Sequence, residues 1–93
     1  MIVSFKGKFV REVADGRAPK GFPADILARA ERRLRAVNNA ISLDDLRSPP
    51  GNRLEKLAGD RDGQHSIHIN DQWRICFRWT EAGAEDVEIV DYH

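Results

Sequence analysis

Arg74 is the basic residue whose sequence context most favours a chemical role. It lies in an apolar run, residues 73–79, in which large hydrophobic side chains alternate with two arginines and a cysteine. That period of two residues indicates a β-strand, so Arg74 and Arg78 point away from the large hydrophobic side chains. A guanidinium held on a rigid strand is suited to clamp a phosphate group with two parallel hydrogen bonds. The structural alternative is a salt bridge from Arg74 to Glu88 or Asp91 on the next strand.

The last three residues, Asp91, Tyr92 and His93, bring an acid, a phenol and an imidazole directly after a predicted strand. An imidazole titrates near neutral pH, so His93 is suited to move a proton to or from a hydroxyl group. The ring of Tyr92 offers a face on which a nucleic-acid base stacks. The alternative is an ordinary polar chain end with no fixed structure.

The other nucleophile and metal-ligand candidates give weaker signals. Cys76 lies within the apolar strand pattern, which favours a buried structural thiol over a reactive one. His65 and His68 are spaced so that they face opposite sides of a predicted strand, which disfavours a shared metal ion. His68 shares the face of Arg74 if the hairpin pairs in simple register, which makes it a minor candidate for nucleic-acid contact. The sequence contains no phosphate-binding loop or dinucleotide fingerprint, so no metal and no cofactor are expected.

Length, cysteine count and charge narrow the class of protein further. No run approaches the roughly 20 apolar residues of a membrane span, and no secretory signal is visible at the N-terminus. A single cysteine excludes an intrachain disulfide, so a cytoplasmic protein is expected. The formal net charge is zero, but residues 1–35 carry nine Lys or Arg against four acids, whereas residues 80–93 carry five acids and no Lys or Arg. This asymmetry permits a basic face on a neutral molecule, although a solvated helix surface would give the same pattern.

Two helices are predicted in the first half of the chain, after a short edge strand at residues 2–5. Phe9, Val10 and Val13 have helical spacing and predict a helix that ends near Gly16. The second helix has the stronger signal, an apolar stripe with steps of three and four residues between Ile26 and Ile41. Its opposite face carries four arginines: Arg29, Arg32, Arg33 and Arg35.

The hydrophobic period changes from 3.6 to two residues after the Pro-Gly loop at residues 48–51. Strands are predicted at residues 53–58, 65–70 and 73–79, and a last strand carries Val87 and Ile89 on one face. The predicted fold is therefore α+β. Two N-terminal helices are packed on one face of a twisted, mainly antiparallel, four- to five-stranded sheet.

The second half of the chain also carries several short motifs in a fixed order. They are Pro50-Gly51-Asn52-Arg53-Leu54, Leu57-Ala58-Gly59-Asp60, Ser66-Ile67, the strand from Asn70 to Phe77, and Val90-Asp91-Tyr92-His93. Together they resemble HigB-type toxins of the RelE-like superfamily. In that family a P-G-x-R-L-x-x-L-x-G-D segment precedes an N-x-x-W-R-I-x-F strand, and the chain ends in D-Y-H. The resemblance is strong over residues 47–93 and covers the helical half only by architecture.

The resemblance implies one toxin domain over residues 1–93 and a ribosome-dependent, metal-independent endoribonuclease that cuts messenger RNA and inhibits translation. It implies a HigA-like helix-turn-helix antitoxin as partner, the ribosome and mRNA as targets, and operator DNA bound only through the antitoxin. In this comparison Arg74 matches the phosphate-binding arginine of the family. Asp91, Tyr92 and His93 match its C-terminal catalytic group.

The chain departs from the family pattern at two positions. Some members place a His two residues after the Arg of the R-L motif and a Lys just before the G-D pair; this chain has Glu55 and Ala58 there. Lys56 is nearby but out of register. Without this His and this Lys, the resemblance predicts weak or altered RNA cleavage. The further candidates for catalysis or RNA binding are Arg53, Glu55, Lys56, His68 and Arg78.

Two other functions stay open on the sequence. The missing His and Lys favour a non-catalytic, toxin-like module that binds the antitoxin and modulates repression. A toxin that acts on ribosome assembly, and not on mRNA, would carry the same motifs. The arginine face of the second helix would suit either ribosomal RNA or acidic residues of the antitoxin.

Overall fold

The structure is a computed structural model and describes residues 1–92. Two α-helices, α1 (Lys8–Ala14) and α2 (Leu27–Asn39), precede four strands in the chain. The strands are β1 (Glu55–Lys56), β2 (His65–His68), β3 (Trp73–Thr80) and β4 (Gly83–Asp91). They form one antiparallel sheet in the order β1-β2-β3-β4, which confirms the predicted α+β class.

Both helices cover the same face of the sheet and enclose the core there. The apolar stripe of α2 and the residue before it are buried at Ile26, Ala30, Leu34 and Val37, against Ile67, Ile75, Phe77 and Val87 of the sheet. The predicted stripe is wrong at Ile41, which is 93% exposed because α2 ends at Asn39 and the chain leaves the sheet. No helix within residues 1–92 is long and apolar enough to cross a membrane.

The first residues of the chain extend the sheet beyond β4. Ile2 and Phe5 form parallel bridges with Ala84 and Val87, which confirms pairing at this edge although no continuous strand forms. Gly83 permits the close approach, because it has a φ of +127° and a Cβ at this position would collide with the first carbonyl of the chain.

The strand predicted at residues 53–58 is reduced to the two residues of β1. A 3-10 turn over Pro50–Asn52 precedes it, and Arg53 ends that turn in the left-handed region with a φ of 45°. A second 3-10 turn, Gly59–Arg61, follows it. Because β1 pairs only with His65 and Ser66, the outer edge of β2 is uncovered beyond these residues.

A bulge in β4 changes the register of the β3–β4 pair. Cys76 pairs with Glu88, whereas Arg78 pairs with Glu85, so β4 holds one extra residue between these pairs. Asp86 lies in this segment and has a φ of 52°, a conformation that Asp tolerates better than most residues. A bulge of this kind increases local twist while the strands stay paired on both sides of it.

Candidate active site

Arg74 lies on the sheet face turned away from the helices, which we call the open face. Residues directly opposite one another on paired strands point to the same side, and Arg74 is paired with His68 of β2. Two positions back along β2, Ser66 shares that face and is itself paired with Glu55 of β1. The register therefore brings a guanidinium, a hydroxyl and a carboxylate together on one surface.

The guanidinium of Arg74 makes three contacts on the open face. Its Nη1 donates to Oγ of Ser66 at 2.8 Å, and its Nη2 lies 3.1 Å from Oε1 of Glu55. Its Cζ is 5.5 Å from the centroid of the Tyr92 ring. The alternative of a salt bridge to Glu88 or Asp91 is wrong in its partner, because the carboxylate that reaches Arg74 comes from β1 on the other side of β2.

The pair of Arg74 and Glu55 is easily opened. The Arg74 side chain is 12% exposed and that of Glu55 is 53% exposed, so water screens the carboxylate. Glu55 accepts one hydrogen bond from Arg74, at 3.1 Å, whereas a phosphate group can accept two parallel bonds from a guanidinium. A phosphate that accepts two bonds from Arg74 would therefore displace Glu55 at small cost.

Tyr92 packs over the centre of the open face, against the fully buried thiol of Cys76. Burial raises the pKa of the Cys76 thiol, while the Arg61 and Arg74 guanidinium groups and a hydrogen bond with Tyr92 act in the other direction. Burial also raises the pKa of the Tyr92 phenol. Tyr92 therefore offers a ring face and a hydroxyl group, and the complete burial of Cys76 agrees with the structural role predicted for its thiol.

A second guanidinium reaches the open face from the 3-10 turn after β1. Nη1 of Arg61 donates to Oε1 of Glu88 at 2.6 Å and to Oε1 of Gln64 at 3.1 Å. The bond to Glu88 raises the pKa of Arg61. No sequence pattern indicated Arg61, because a residue on a short turn belongs to no hydrophobic period. Ser66 was also missed as a partner of Arg74, although the alternation in β2 and the hairpin register would have indicated it.

The two histidines of β2 face opposite sides, as their spacing predicts. His65 is paired with Phe77 and its ring stacks on that residue with centroids 6.4 Å apart; burial lowers its pKa. His68 lies on the open face beside Arg74, with Nε2 at 3.5 Å from Oδ1 of Asp71. That nitrogen is buried and makes no hydrogen bond within the described residues. No group of three His, Cys, Asp or Glu side chains among residues 1–92 is arranged to hold a metal ion.

The register separates Asp91 from Arg74. Asp91 is paired with Trp73, so it points to the helix side of the sheet, where Nε2 of Gln72 donates to its Oδ2 at 3.2 Å. Tyr92 follows it on the open face. His93 lies outside the described residues.

The remaining sequence candidates fall at different places. Lys56 is paired with His65 and therefore points to the helix side of the sheet at its edge. Arg53 is exposed at the turn before β1. Arg78 is exposed on the open face, two residues after Cys76 on β3, and its guanidinium lies against Gly63. Of the candidates other than Arg74, the structure thus brings Glu55, His68 and Tyr92 to the side of that residue.

Comparison with known proteins decides the family. The model of the family described as "RelE-like toxin of type II toxin-antitoxin system HigB" matches residues 3–93. The chain belongs to this family. It is 35% identical over 85 residues to Toxin HigB-1 of Vibrio cholerae serotype O1, with 90% of each chain covered. It is 33% identical over 93 residues to Endoribonuclease HigB of Proteus vulgaris, with both chains covered completely.

As a HigB-family toxin of a type II system, this protein has an antitoxin as its partner. On its open face the Glu55 carboxylate pairs with the Arg74 guanidinium, Ser66 fixes that guanidinium, and Tyr92 covers it from the end of β4.

Proposed function

We propose that this toxin is an endoribonuclease that cuts messenger RNA on the ribosome, with the open face as its active site. The observation that carries the proposal is the position of Arg74, held by Ser66 on a central strand and covered by the ring of Tyr92. The full-length similarity to a relative named Endoribonuclease HigB supports the same chemistry.

The reaction we propose is a transesterification within the RNA strand. The ribose 2′ oxygen attacks the adjacent phosphorus, and the bond from phosphorus to the 5′ oxygen breaks, which yields a 2′,3′-cyclic phosphate and a free 5′ hydroxyl. One group must accept the proton of the 2′ hydroxyl and another must donate a proton to the departing 5′ oxygen. The substrate supplies its own nucleophile, so the proposal requires no metal.

Arg74 is the group we assign to the scissile phosphate. Its guanidinium offers five N–H donors in a fixed plane, which suits the oxygens of a pentacoordinate phosphorus on which negative charge develops. Removal of one such donor commonly costs about 3–4 kcal/mol of transition-state stabilisation. Tyr92 stacks on the neighbouring base, and its hydroxyl stays protonated because burial raises its pKa.

We assign the general base to Glu55 and the general acid to His93. Glu55 is within contact of Arg74 and is half exposed, so it can reach a ribose hydroxyl next to the phosphate that Arg74 holds. It occupies the position where the resemblance places a histidine in some family members. His93 supplies the leaving-group proton in this scheme, and Asp91, on the other side of the sheet, is left with a positioning role at the chain end.

The site is sparse, and this favours action on the ribosome. A few side chains on a shallow surface align free RNA poorly for in-line attack, whereas a ribosome that holds the mRNA in a bent path supplies that alignment. We therefore propose the cytoplasm as the place of action. We further propose a HigA-like helix-turn-helix antitoxin as the partner, through which operator DNA is bound.

The experiment that tests this function is a brief expression pulse followed by sequencing of RNA 5′ ends. The wild-type chain is expected to create new ends within translated messages, each with a 5′ hydroxyl. Arg74→Ala and a deletion of His93 are each expected to remove these ends and to relieve growth inhibition. Arg47→Ala is the matched control, since Arg47 is exposed and pairs only with Asp44 beside it.

The result also separates the proposal from a non-catalytic module. The Glu55–Arg74 pair favours that second candidate, because it neutralises the main cation of the site in the free protein. If no new 5′ ends arise from the wild-type chain although it binds its antitoxin, the binding role is correct. If Arg74→Ala and the His93 deletion both still cut, the site assignment is wrong.

A further inference from the structure

Three arginines of α2 form a cationic surface at the β2 edge of the sheet. Arg32 and Arg33 follow Arg29 by three and four residues, so all three lie along one side of the helix. Arg29 and Arg32 are exposed, and Arg33 is partly buried. We call these three residues the arginine ridge.

The ridge has no acidic partner among the described residues. The ion pairs that residues 1–92 form involve other cations, on the loops and on the sheet. Burial, Arg29 and Arg32, in that order, lower the pKa of Arg33, which shows that three like charges crowd one another here. Like charges at this spacing destabilise a helix by a few tenths of a kcal/mol, so the repulsion among the three arginines does not stabilise α2.

Main-chain carbonyl groups hold two of the three guanidinium groups in place. Nε of Arg33 donates to the carbonyl of His68 at 3.1 Å, at the outer edge of β2 that β1 leaves uncovered. Nη1 of Arg29 lies 3.4 Å from the carbonyl of Ile69. Each of these bonds uses one of the five N–H groups of a guanidinium, and the others remain for an external acceptor. The ridge is therefore ordered before any ligand binds.

The ridge is continuous with the candidate active site at the edge of the sheet. His68, whose carbonyl anchors Arg33, is the cross-strand neighbour of Arg74. On its other side, Nη2 of Arg33 lies against Gly51, in the 3-10 turn that leads through Arg53 into β1 and Glu55. The backbone of His68 thus connects Arg33 to the strand position opposite Arg74.

We propose that the arginine ridge binds the phosphodiester backbone of the substrate RNA strand beyond the scissile phosphate. The inference rests on the proposed ribonuclease function and adds a second contact region to it. Arg29 and Arg33 are four residues apart, a rise of about 6 Å along the helix axis, comparable with the separation of successive phosphates on an RNA strand. Planar guanidinium groups bind phosphate oxygens in pairs, and they read no sequence in doing so.

The test compares two uncleavable probes, a 2′-O-methyl tetranucleotide and a 2′-O-methyl dodecanucleotide of mixed sequence, over a series of salt concentrations. The wild-type chain is expected to bind the longer probe more tightly and with a steeper salt dependence. Each phosphate contact to a single strand contributes about 0.7 to the slope of log affinity against log salt, so three contacts contribute about 2. Replacement of all three ridge arginines by Gln is expected to remove this increment and to leave binding of the tetranucleotide unchanged.

Two control proteins make the result specific. A triple Gln variant of Lys8, Arg11 and Lys20, which are exposed elsewhere, removes the same net charge and is expected to keep the length-dependent gain. Because Arg33 also anchors the edge of β2, the Arg29→Gln/Arg32→Gln double variant is measured as well. It is expected to lose about two thirds of the increment while its unfolding midpoint stays that of wild type.

Three results would overturn the proposal. One is a wild-type chain that binds both probes equally well at low salt. Another is a ridge variant that binds the longer probe as wild type does but pellets less with ribosomes, which would assign the ridge to ribosomal RNA. The third is a ridge variant that loses only antitoxin affinity, which would assign it to a protein partner.

Arg74→Ala is expected to abolish cleavage and to keep the length-dependent gain, so failure of the ridge and failure of the ribonuclease site are distinguishable.

Discussion

At the level of single residues, the Arg74 guanidinium is already positioned in the free protein, and its charge is partly neutralised there. Ser66 fixes the guanidinium by a short hydrogen bond, and Glu55 neutralises it through a weak, half-exposed ion pair. The carboxylate is therefore both a mask in the free protein and, in our proposal, the base of the reaction. These two roles predict opposite effects when Glu55 is replaced.

Glu55→Gln is expected to lower cleavage about a hundredfold, because a positioned general base contributes at least that factor. RNA affinity is not expected to fall, since the substitution removes the competitor of the phosphate at Arg74. Single-turnover cleavage on ribosomes, measured alongside equilibrium binding, separates the two effects. Faster cleavage by Glu55→Gln would show that Glu55 only masks Arg74.

The buried Cys76 thiol and the Tyr92 phenol predict how stability depends on pH. Both pKa values are raised in the folded chain, so the folded state holds its protons more tightly than the unfolded state does. Their contribution is complete below the unfolded thiol pKa of about 8.5 and is lost as the pH rises through the folded values. Urea unfolding at rising alkaline pH is expected to show a steeper loss of stability for wild type than for Cys76→Ala. Equal slopes would contradict the assignment.

At the level of secondary structure, the last strand and the first residues depend on one another. The N-terminal segment pairs with β4 at Ala84, before the bulge, and at Val87, within it, and Gly83 is the point of closest approach. The bulge in turn lets β4 run on to Tyr92 in the register that covers Arg74. The position of Tyr92 over Arg74 therefore depends on contacts made by the first residues of the chain.

Gly83→Ala is expected to destabilise the fold by about 2 kcal/mol or more, because a Cβ at this position meets the first carbonyl and the φ of +127° disfavours any L side chain. Hydrogen exchange should show the loss first in residues 2–5 and β4. Ala82→Gly, in the exposed turn next to it, is the matched control and should change stability by less than about 1 kcal/mol. A Gly83→Ala protein as stable as wild type would contradict the close approach.

The sequence predicted the elements well wherever one physical signal dominates. Period-two alternation identified β3 and correctly placed Arg74 on the open face, and the helical stripe identified α2. It predicted too long a strand at β1, because hydrophobic alternation does not reveal the left-handed conformation of Arg53. It also placed Ile41 on the apolar stripe of α2, although the helix ends before that residue. The salt bridge it offered as an alternative role for Arg74 was placed on the wrong strand, because carboxylates flank Arg74 on both sides and only the three-dimensional register chooses between them.

For the molecule as a whole, the distribution of charge says more about RNA binding than the net charge does. The formal charge is zero, yet the cations of α2 lie together at one edge of the sheet, beside the candidate active site. The acids are concentrated towards the end of the chain, where Glu88 is bound to Arg61. A neutral toxin of this kind should show local, salt-dependent affinity for RNA without general adhesion to polyanions.

In the proposed reaction, Arg74 stabilises the transition state of RNA cleavage on the open face. The most direct measurement is single-turnover cleavage of a defined message on purified ribosomes, with the product ends identified by mass spectrometry. Wild type should yield 2′,3′-cyclic phosphate and 5′ hydroxyl ends. Arg74→Gln, with unchanged ribosome binding, should cut at least about a hundredfold more slowly. Equal rates for the two proteins, or hydrolysis to 5′ phosphate ends, would contradict the account.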